Sequence, residues 1–435
     1  MPHDRNAIKV SSLAQKLNLF CGFDWARHDH YFVLKNDSHD TLDEGYFSNS
    51  PEGFQQFLTR LDEKRQGGQP IALIIEATRG GAASVLANVD WITLYPVNPS
   101  KTRKLIELDG SGKGKNDPRD SHLLCDYLIG NHHKLRTENE RDEDILCLRE
   151  LVQTEDEYIG EQTRLKNRIK AQIVQFCPAL EAMVGEKLDT KAYTQYLLAF
   201  DPRKPAKADL VKEHLNSHHV RSKGVVEKFL KRHSELKVLP LGKKLLAVHV
   251  EKLSALVRQL HTIQAELGWC QNEITTFFNE LPNAEIYLSL PGLGERLAPR
   301  MAALFGKNPA KNFVSKNEAC AYFGQSPVTD SSGGYDKKNG KERKRAPSKE
   351  EVKKRCSCNR QARHTAYLWS RATGCLNQVY APWQREYLNR LRERGDKTAT
   401  RYRKLGRKMI AVLYTCLVTN QSYSLEHYQK NAHAK

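Results

Sequence analysis

Four carboxylates are the side chains of this sequence whose types and spacing point most directly to chemistry. Asp24 lies inside the apolar run FCGFDWA, Glu76 closes the apolar run IALIIE, and Asp117 and Asp120 lie in KNDPRDSHLL. Carboxylate oxygens are the ligands that Mg²⁺ prefers, usually together with substrate phosphate. Two such ions about 4 Å apart serve in-line displacement at a phosphodiester. The four acids therefore predict a Mg²⁺ site for phosphoryl transfer.

The elements expected around these acids could bring them together. A charge inside an apolar strand, as at Asp24, is costly unless something neutralises it. Glu76 closes a buried strand at its carboxyl end, where α/β folds place ligands. Asp117 can cap a helix that begins at Pro118, and Asp120 then shares one side of that helix. Each acid also has a structural alternative, such as a plain N-cap for Asp117 or a strand-end charge for Glu76.

The first part of the chain reads as a mixed sheet with helices packed on it. Residues 18–36 predict a strand, a turn and a second strand, and residues 44–50 a third. Pro51 opens a helix that ends near Arg65. The runs at 71–78 and 91–99 predict further strands, the first of them covered on both faces. This order of elements indicates the α/β class.

Long helices are predicted in the middle of the chain. Residues 140–180 have a helical pattern that ends at Pro178. Apolar residues then recur every seven positions, at Leu246, Leu253, Leu260, Leu267 and Ile274. This spacing favours a coiled-coil seam, which could pair with the first long helix or with another protomer, although a long core helix is the alternative. Residues 200–240, rich in Lys and broken by Pro202 and Pro205, suggest an irregular or insertion-like connection.

A second candidate centre is the stretch PVTDSSGGYDKKNGKERKR. Ser331 and Ser332 directly precede two glycines, which would let a phosphate backbone approach closely. A hydroxyl is a weak nucleophile until a base or a metal activates it, and a metal site from another domain would do so. The segment 337–363 carries twelve Lys and Arg against three Glu. A solvated loop is the alternative for such a charge run.

Two sets of residues are candidates for nucleic-acid binding. The first set comprises Lys337, Lys338, Lys341, Arg343, Lys344 and Arg345. The second set is Gly292 and Gly294 in PGLG, where backbone N–H groups at a helix start could hold a phosphate. A simple turn followed by a helix cap is the alternative for the two glycines.

Composition supports a polyanionic partner. The 435 residues carry a formal net charge of +18, and nucleic acid is the commonest partner of so basic a protein. No apolar run reaches the roughly 18 residues of a membrane span, and the N-terminus lacks the apolar core of a signal peptide. The ten cysteines follow no framework spacing, which favours reduced thiols and a cytoplasmic location.

The surroundings of the four acids resemble a known family. EATRGGA, YPVNPSKTRKL and KNDPRDSHLL are similar to motifs of the DEDD transposases of the insertion sequence 110 family. That family's N-terminal domain is similar to the RuvC-type Holliday-junction resolvase, which has an RNase H fold. The stretches LSLPGLGERLAPRMAALFG, FVSKNEACAYFGQSPVTDSSGG and RQARHTAYLWSRA resemble its second domain. The likeness covers most of the chain, but not the segment 200–240.

The resemblance implies a two-part mechanism. The four acids would hold Mg²⁺, and a serine of the C-terminal domain would attack DNA. The family's serine precedes a glycine and falls on Ser332, with Ser331 as its immediate rival. The resemblance also implies a structured guide RNA, the bridge RNA, which pairs with donor and target DNA. A homo-oligomer, dimer or tetramer, is expected.

We therefore predict a DNA recombinase with three domains. A RuvC-like RNase H-fold domain spans 15–138, a coiled-coil region spans 139–284, and a mainly helical serine transposase domain spans 285–425. Two alternatives remain open. A metal-dependent nuclease or junction resolvase would need only the acids, and a non-catalytic nucleic-acid-binding protein would need neither the acids nor the serine.

Overall fold

The computed structural model describes residues 18–65, 68–76, 81–108, 116–138, 142–204, 206–330, 335–338, 341–344, 351–353, 355 and 358–426. The chain divides into two compact units. One comprises residues 1–146 with 285–435, and the other comprises residues 147–284. The division into three domains stays a prediction.

Five described strands of the first unit form one sheet. They are β1 (Leu19–Asp24), β2 (Asp29–Asn36), β3 (Thr41–Ser48), β4 (Ile71–Glu76) and β5 (Ile92–Val97). Their order across the sheet is β3-β2-β1-β4-β5. Strand β2 is antiparallel to both of its neighbours, whereas β1, β4 and β5 run parallel. The predicted mixed sheet is confirmed.

Helices cover both faces of this sheet. On one face, α1 (Pro51–Glu63) and α2 (Gly81–Ala87) pack over alternate residues of the strands. After α3 (Pro99–Leu108), helix α4 (Asp117–Asn131) packs on the opposite face. The buried layer between α4 and the sheet consists of Phe20, Ala72, Ile74, Tyr95 and Val97 from the strands and of Leu124, Cys125 and Leu128 from α4 itself. Because side chains alternate along a strand, β1 and β4 contribute to both layers, and this explains why each is apolar up to its final acid.

The second unit is helical where it is described. Its helices are α5 (Glu143–Val174), α6 (Pro178–Val184), α7 (Lys191–Ala199), α8 (Ala208–Ser217), α9 (Lys223–Ser234) and α10 (Lys243–Glu280). The α10 seam residues Leu253 and Leu260 are fully buried, in one core with Ile169 and Ile173 of α5. The seam therefore packs against the first long helix of the same chain, which is one of the two predicted partners. Even the longest described helices are not apolar enough to cross a membrane.

Residues 200–240 differ from the expected irregular connection. Helices α8 and α9 occupy most of this segment, and their apolar residues Val211, Leu215, Val226 and Phe229 are buried in the core of the second unit. Pro202 lies before α8 begins and therefore interrupts neither helix, and Pro205 lies outside the described residues. The helical periodicity of the four apolar residues outweighs the loop-like composition.

The C-terminal part of the first unit is mainly helical. Its helices are α11 (Ala284–Leu288), α12 (Leu297–Phe305), α13 (Pro309–Asn312), α14 (Lys316–Tyr322), α15 (Arg360–Cys375), α16 (Pro382–Glu393) and α17 (Thr398–Thr419). The predicted cap of α14 is confirmed, since the Ser315 hydroxyl accepts a hydrogen bond from the Glu318 N–H at 3.3 Å. Trp369 of α15 is fully buried, and its indole N–H donates to the Pro291 carbonyl at 2.9 Å.

Candidate active site

Asp24 and Glu76 end neighbouring parallel strands. Phe23 of β1 is the register partner of Ile75 of β4, and each is followed by one of the two acids. Asp24 and Glu76 each follow, at a spacing of two residues, the residues of their own strand that face α4, so they belong to the α4 face of the sheet. Both side chains are half-buried. The sheet thus brings the first two predicted acids to one edge and one face.

Helix α4 brings a third acid to the same end of the sheet. The Ser121 hydroxyl donates to the Tyr31 carbonyl at 3.2 Å, and Tyr31 is the register partner of Asp24. The Cys125 thiol, one turn further along α4, donates to the Phe20 carbonyl at 3.2 Å. These contacts fix α4 across β1 and β2. Asp120, which precedes Ser121, is therefore held near the end of β1 and is only 7% exposed.

The start of α4 differs in one detail from the prediction. The N-cap is Asn116, whose side-chain oxygen accepts a hydrogen bond from the Arg119 N–H. Asp117 is the first helical residue and is half-buried, so it is not the cap that its position suggested. Its carboxylate lies one turn before Asp120, where the helix dipole also favours negative charge. The capping alternative for Asp117 is wrong.

Two buried thiols lie near the acids, on opposite faces of the sheet: Cys21 of β1 belongs to the layer covered by α1 and α2, and Cys125 of α4 belongs to the layer on the α4 face. Cys21 and Cys125 are both fully buried. Burial raises the pKa of the Cys125 thiol to about 12, and it also raises the pKa of Cys21 well above its usual value. Both therefore stay protonated and act as packing residues, since only a thiolate is a good nucleophile or metal ligand.

The chemistry of the donor set fits a hard cation, because all four predicted ligands offer carboxylate oxygen. The four carboxylates nevertheless do not form a compact cluster. Among the described residues, no three His, Cys, Asp or Glu side chains are close enough to hold one metal ion. The sheet and α4 bring three acids to one end of the sheet, with Asp117 one turn away, and the Mg²⁺ site itself stays a prediction.

The predicted serines follow a short strand of the C-terminal part. Strand β6 (Val328–Asp330) pairs antiparallel with β9 (Glu351–Lys353), and a hairpin of β7 (Tyr335–Lys338) and β8 (Lys341–Lys344) lies between them in the chain. Ser331 and Ser332 lie outside the described residues, as does Arg345. The backbone at Lys337, Lys338, Lys341, Arg343 and Lys344 belongs to the hairpin, where the sequence alone suggested a loop.

Two family models match this chain, and each covers one of the two predicted centres. Residues 21–178 match the family model of the DEDD transposases of IS110, and residues 284–350 match the model of the IS116/IS110/IS902 transposase family. The first match contains all four acids, and the second contains both serines. The chain belongs to the IS110 family of transposases. It is accordingly an enzyme of DNA transposition.

Three similar proteins align with most of the length of this transposase. A mini-circle protein of Streptomyces coelicolor, named as the transposase candidate for IS117, is 23% identical over 94% of this chain and 95% of its own length. A 43.6 kDa protein of insertion element IS110 from the same organism is 26% identical over 70% and 71% of the two chains. A 42 kDa protein of insertion element IS900 from Mycobacterium paratuberculosis is 24% identical over 72% and 78%.

Gly292 of the transposase has a structural role. Its φ is +75°, and a β-carbon there would lie 2.4 Å from the Thr373 hydroxyl oxygen. Thr373 also donates to the Pro291 carbonyl at 2.9 Å, so the turn is packed directly on α15. This packing explains the need for glycine at position 292. Gly294 has open space around its α-carbon, and phosphate binding at the two glycines stays a prediction.

One set of contacts in the transposase was not predicted from the sequence. The guanidinium of Arg136 lies 4.3 and 4.2 Å from the ring centres of Phe313 and Tyr322. Lys307 forms an ion pair with Asp142, six residues after Arg136. The segment after α4 is thereby fastened to the helices that lead to Ser332. No local pattern could reveal these contacts, because the partners are far apart in the sequence.

Proposed function

We propose that this transposase is a site-specific recombinase that cuts and rejoins DNA with a carboxylate-bound Mg²⁺ site and a serine nucleophile. The observation that carries the proposal is the placement of Asp24, Glu76 and Asp120 at one end and one face of the sheet. The strand order, in which an antiparallel β2 separates β3 from three parallel strands, supports an RNase H-like, RuvC-type domain.

The acids would share the work of holding the metal. Asp24 and Glu76 offer oxygens from strand ends, and Asp117 and Asp120 offer theirs from the first turn of α4. Mg²⁺, when bound, supplies positive charge that stabilises the transferring phosphoryl group.

Ser332 is the proposed nucleophile, and Ser331 is its rival. The hydroxyl oxygen would form a bond to phosphorus while a DNA oxygen leaves and takes up a proton, giving a covalent phosphoserine that rejoining reverses. The two serines directly follow the paired strand β6 in the sequence. The contacts of Arg136 and Lys307 support a stable link between the acid-bearing and serine-bearing parts.

The remaining partners are proposed from the net charge of the chain and from its membership of the family. A net charge of +18 supports binding to DNA and to a structured guide RNA, which would choose the sites by base pairing. We propose a homo-oligomer acting in the cytoplasm. Sequencing of RNA that copurifies with the full chain, followed by a recombination assay with that RNA, tests the guide.

Trapping the covalent intermediate tests the serine. A nicked or otherwise stalled DNA substrate should leave an adduct, which is digested and mapped by mass spectrometry to Ser332. Ser332→Ala should lose the adduct and strand exchange but keep nucleic-acid binding, and Ser331→Ala should keep activity. An adduct on Ser331 would reverse the assignment. Cleavage that persists in the double variant would assign the reaction to metal-activated water, as in the nuclease alternative.

Metal binding is measured independently of activity. Calorimetric titration with Mn²⁺ should show a site in the full chain that Asp24→Ala and Glu76→Ala both remove. Glu63→Ala, a change at an exposed residue at the end of α1, is the control and should leave the titration unchanged. Equal binding in all four proteins would contradict the carboxylate site.

A further inference from the structure

A row of side chains crosses the sheet at the level of the acids. Asp24 of β1 is the register partner of Tyr31 in β2, and Tyr31 is in turn the partner of Tyr46 in β3. On the other side of Asp24 lies the end of β4 with Glu76. Partners in adjacent strands lie side by side on one face, so Tyr46 is about 10 Å from Asp24, two strand spacings away.

Tyr46 is unusual within this row because it is exposed. Its side chain is 57% accessible on the outer strand β3, whereas Tyr31 is only 7% exposed. The two rings meet edge to face, with their centroids 4.7 Å apart and their planes at 71°. Tyr31 therefore contacts the ring of Tyr46 from one side, while more than half of the Tyr46 side chain stays accessible to solvent.

The aromatic pair is tied to the helix that carries the acids. The carboxylate of Glu44, two residues before Tyr46, lies 2.8 Å from the His122 ring nitrogen Nε2, and His122 lies two residues after Asp120. Burial raises the pKa of Tyr31, and the neighbouring carboxylate of Glu44 raises this pKa further. The Tyr31 hydroxyl thus stays protonated, and the support for Tyr46 is neutral and fixed.

We propose that Tyr46 is a stacking site for an unpaired nucleobase of the nucleic-acid strand bound at the acids. A flat ring that is exposed on one side and held from the other suits base stacking, which tolerates any base sequence. The carboxylate of Glu44 beside the ring disfavours a phosphate, so the base and not the backbone is the matching part. The proposal rests on the proposed function, because it takes the strand at the acids to be the substrate.

Cross-linking and binding measurements with the full chain test this site. The probe is a short single-stranded oligothymidylate that carries one 5-iododeoxyuridine, with EDTA present to prevent cleavage. Irradiation should link the probe to Tyr46, as mapped by mass spectrometry. Tyr46→Thr keeps strand propensity but removes the ring, and it should raise the Kd for the single strand roughly 5- to 150-fold.

Matched variants separate stacking from other effects. Tyr46→Phe keeps the ring and should bind as the wild type does. Leu42→Ala removes another exposed apolar side chain from β3 and should also bind normally. The salt dependence of binding should be the same in Tyr46→Thr as in the wild type, since the change leaves every contact to phosphate in place. Circular dichroism and melting temperature confirm that the variants fold.

Several results would overturn the proposal. These are unchanged binding by Tyr46→Thr, an equal loss in Tyr46→Phe, an equal loss of affinity for a blunt duplex, or cross-links that map elsewhere. A lower oligomeric state in Tyr46→Thr with normal oligonucleotide binding would assign the ring to a contact between copies instead. Asp24→Ala should still cross-link through Tyr46, so failure of the metal site and failure of the stacking site are distinguishable.

Discussion

Gly22 of β1 lies directly against the backbone of Ser121 in α4. A β-carbon at position 22 would lie 2.1 Å from the Ser121 carbonyl oxygen and 2.8 Å from the Cys125 nitrogen. No real side chain tolerates such distances to backbone atoms. Glycine at this one position therefore permits α4 to cross β1 closely enough to place Asp120 beside the end of the strand.

Gly22→Ala should therefore lower both stability and recombination. Overpacking costs about 1–3 kcal/mol, and the displaced helix would move Asp120 away from Asp24. Gly130→Ala is the matched control in α4 itself, since nothing lies within 4 Å of its β-carbon position. It should be neutral or stabilising by up to about 1 kcal/mol. Urea unfolding and a recombination assay measure both effects, and equal behaviour of the two variants would contradict the close crossing.

Alanine substitution of any one predicted metal ligand should reduce recombination by about 100-fold or more; the ligands are Asp24, Glu76, Asp117 and Asp120. The reason is that charge held by the metal stabilises the transition state by several kcal/mol. The variants should stay folded, which circular dichroism checks, because the expected loss concerns metal binding and not the fold. Glu63→Ala is the control for removal of an exposed acid. Normal activity in any two of the four variants would refute the site.

Asp126→Asn should weaken the attachment of α4 to β2. Burial acts to raise the pKa of Asp126, but hydrogen bonds from Lys35 and His39 outweigh it and hold the pKa below its usual range. The stabilisation is therefore complete above the unfolded pKa of about 3.9 and is lost as pH falls through the folded value. Since Lys35 is buried, the variant should lose about 1–3 kcal/mol at pH 7.

The pH dependence of unfolding distinguishes this pair from a surface ion pair. The difference in free energy of unfolding between wild type and Asp126→Asn should be constant from neutral pH to about pH 5 and should shrink below about pH 4. Asp62→Asn, which alters the exposed carboxylate that pairs with Arg65, should change stability by no more than about 1 kcal/mol. A difference that grows in acid would contradict the assignment.

Leu253→Ala should destabilise the second unit by about 2–5 kcal/mol, because the side chain is fully buried where α10 packs in the core shared with α5. Val248→Ala in the same helix removes a side chain that is 62% exposed, and it should cost no more than about 0.5 kcal/mol. Thermal unfolding compares the two. Leu253→Asp and Leu260→Asp should break the packing altogether, and unchanged melting would refute the seam.

Neutralising Lys341, Arg343, Lys344 and Arg345 should weaken duplex binding and reduce its salt dependence by up to about 0.9 in logarithmic slope for each phosphate that is no longer neutralised. The control removes the same charge from exposed lysines of the second unit, Lys207, Lys212, Lys228 and Lys231. Fluorescence anisotropy over a series of salt concentrations gives both slopes. An unaltered slope in the first variant, or an equal change in the control, would mark the basic run as a solvated surface.

Much of the fold could be predicted because its signals are local. The unbroken run IALIIE indicated a strand covered on both faces, the heptads of α10 indicated a buried seam, and SKNE indicated a capped helix start. Residues 200–240 were misjudged because their Pro and Lys content outweighed the helical spacing of Val211 with Leu215 and Val226 with Phe229. That spacing was the signal that could have found α8 and α9.

The sequence by itself determined the five strands of the sheet, the long helices α5 and α10, and the chemically capable acids, since side-chain periodicity and capping act within a few neighbouring positions. Only the tertiary structure decided that Asp24, Tyr31 and Tyr46 share one row across the sheet. It also decided that α4 packs closely against Gly22, and that the Arg136 guanidinium lies over the rings of Phe313 and Tyr322. Strand register and helix crossing depend on how whole apolar faces fit together, and on contacts between residues distant in the chain. No short stretch of sequence contains that information.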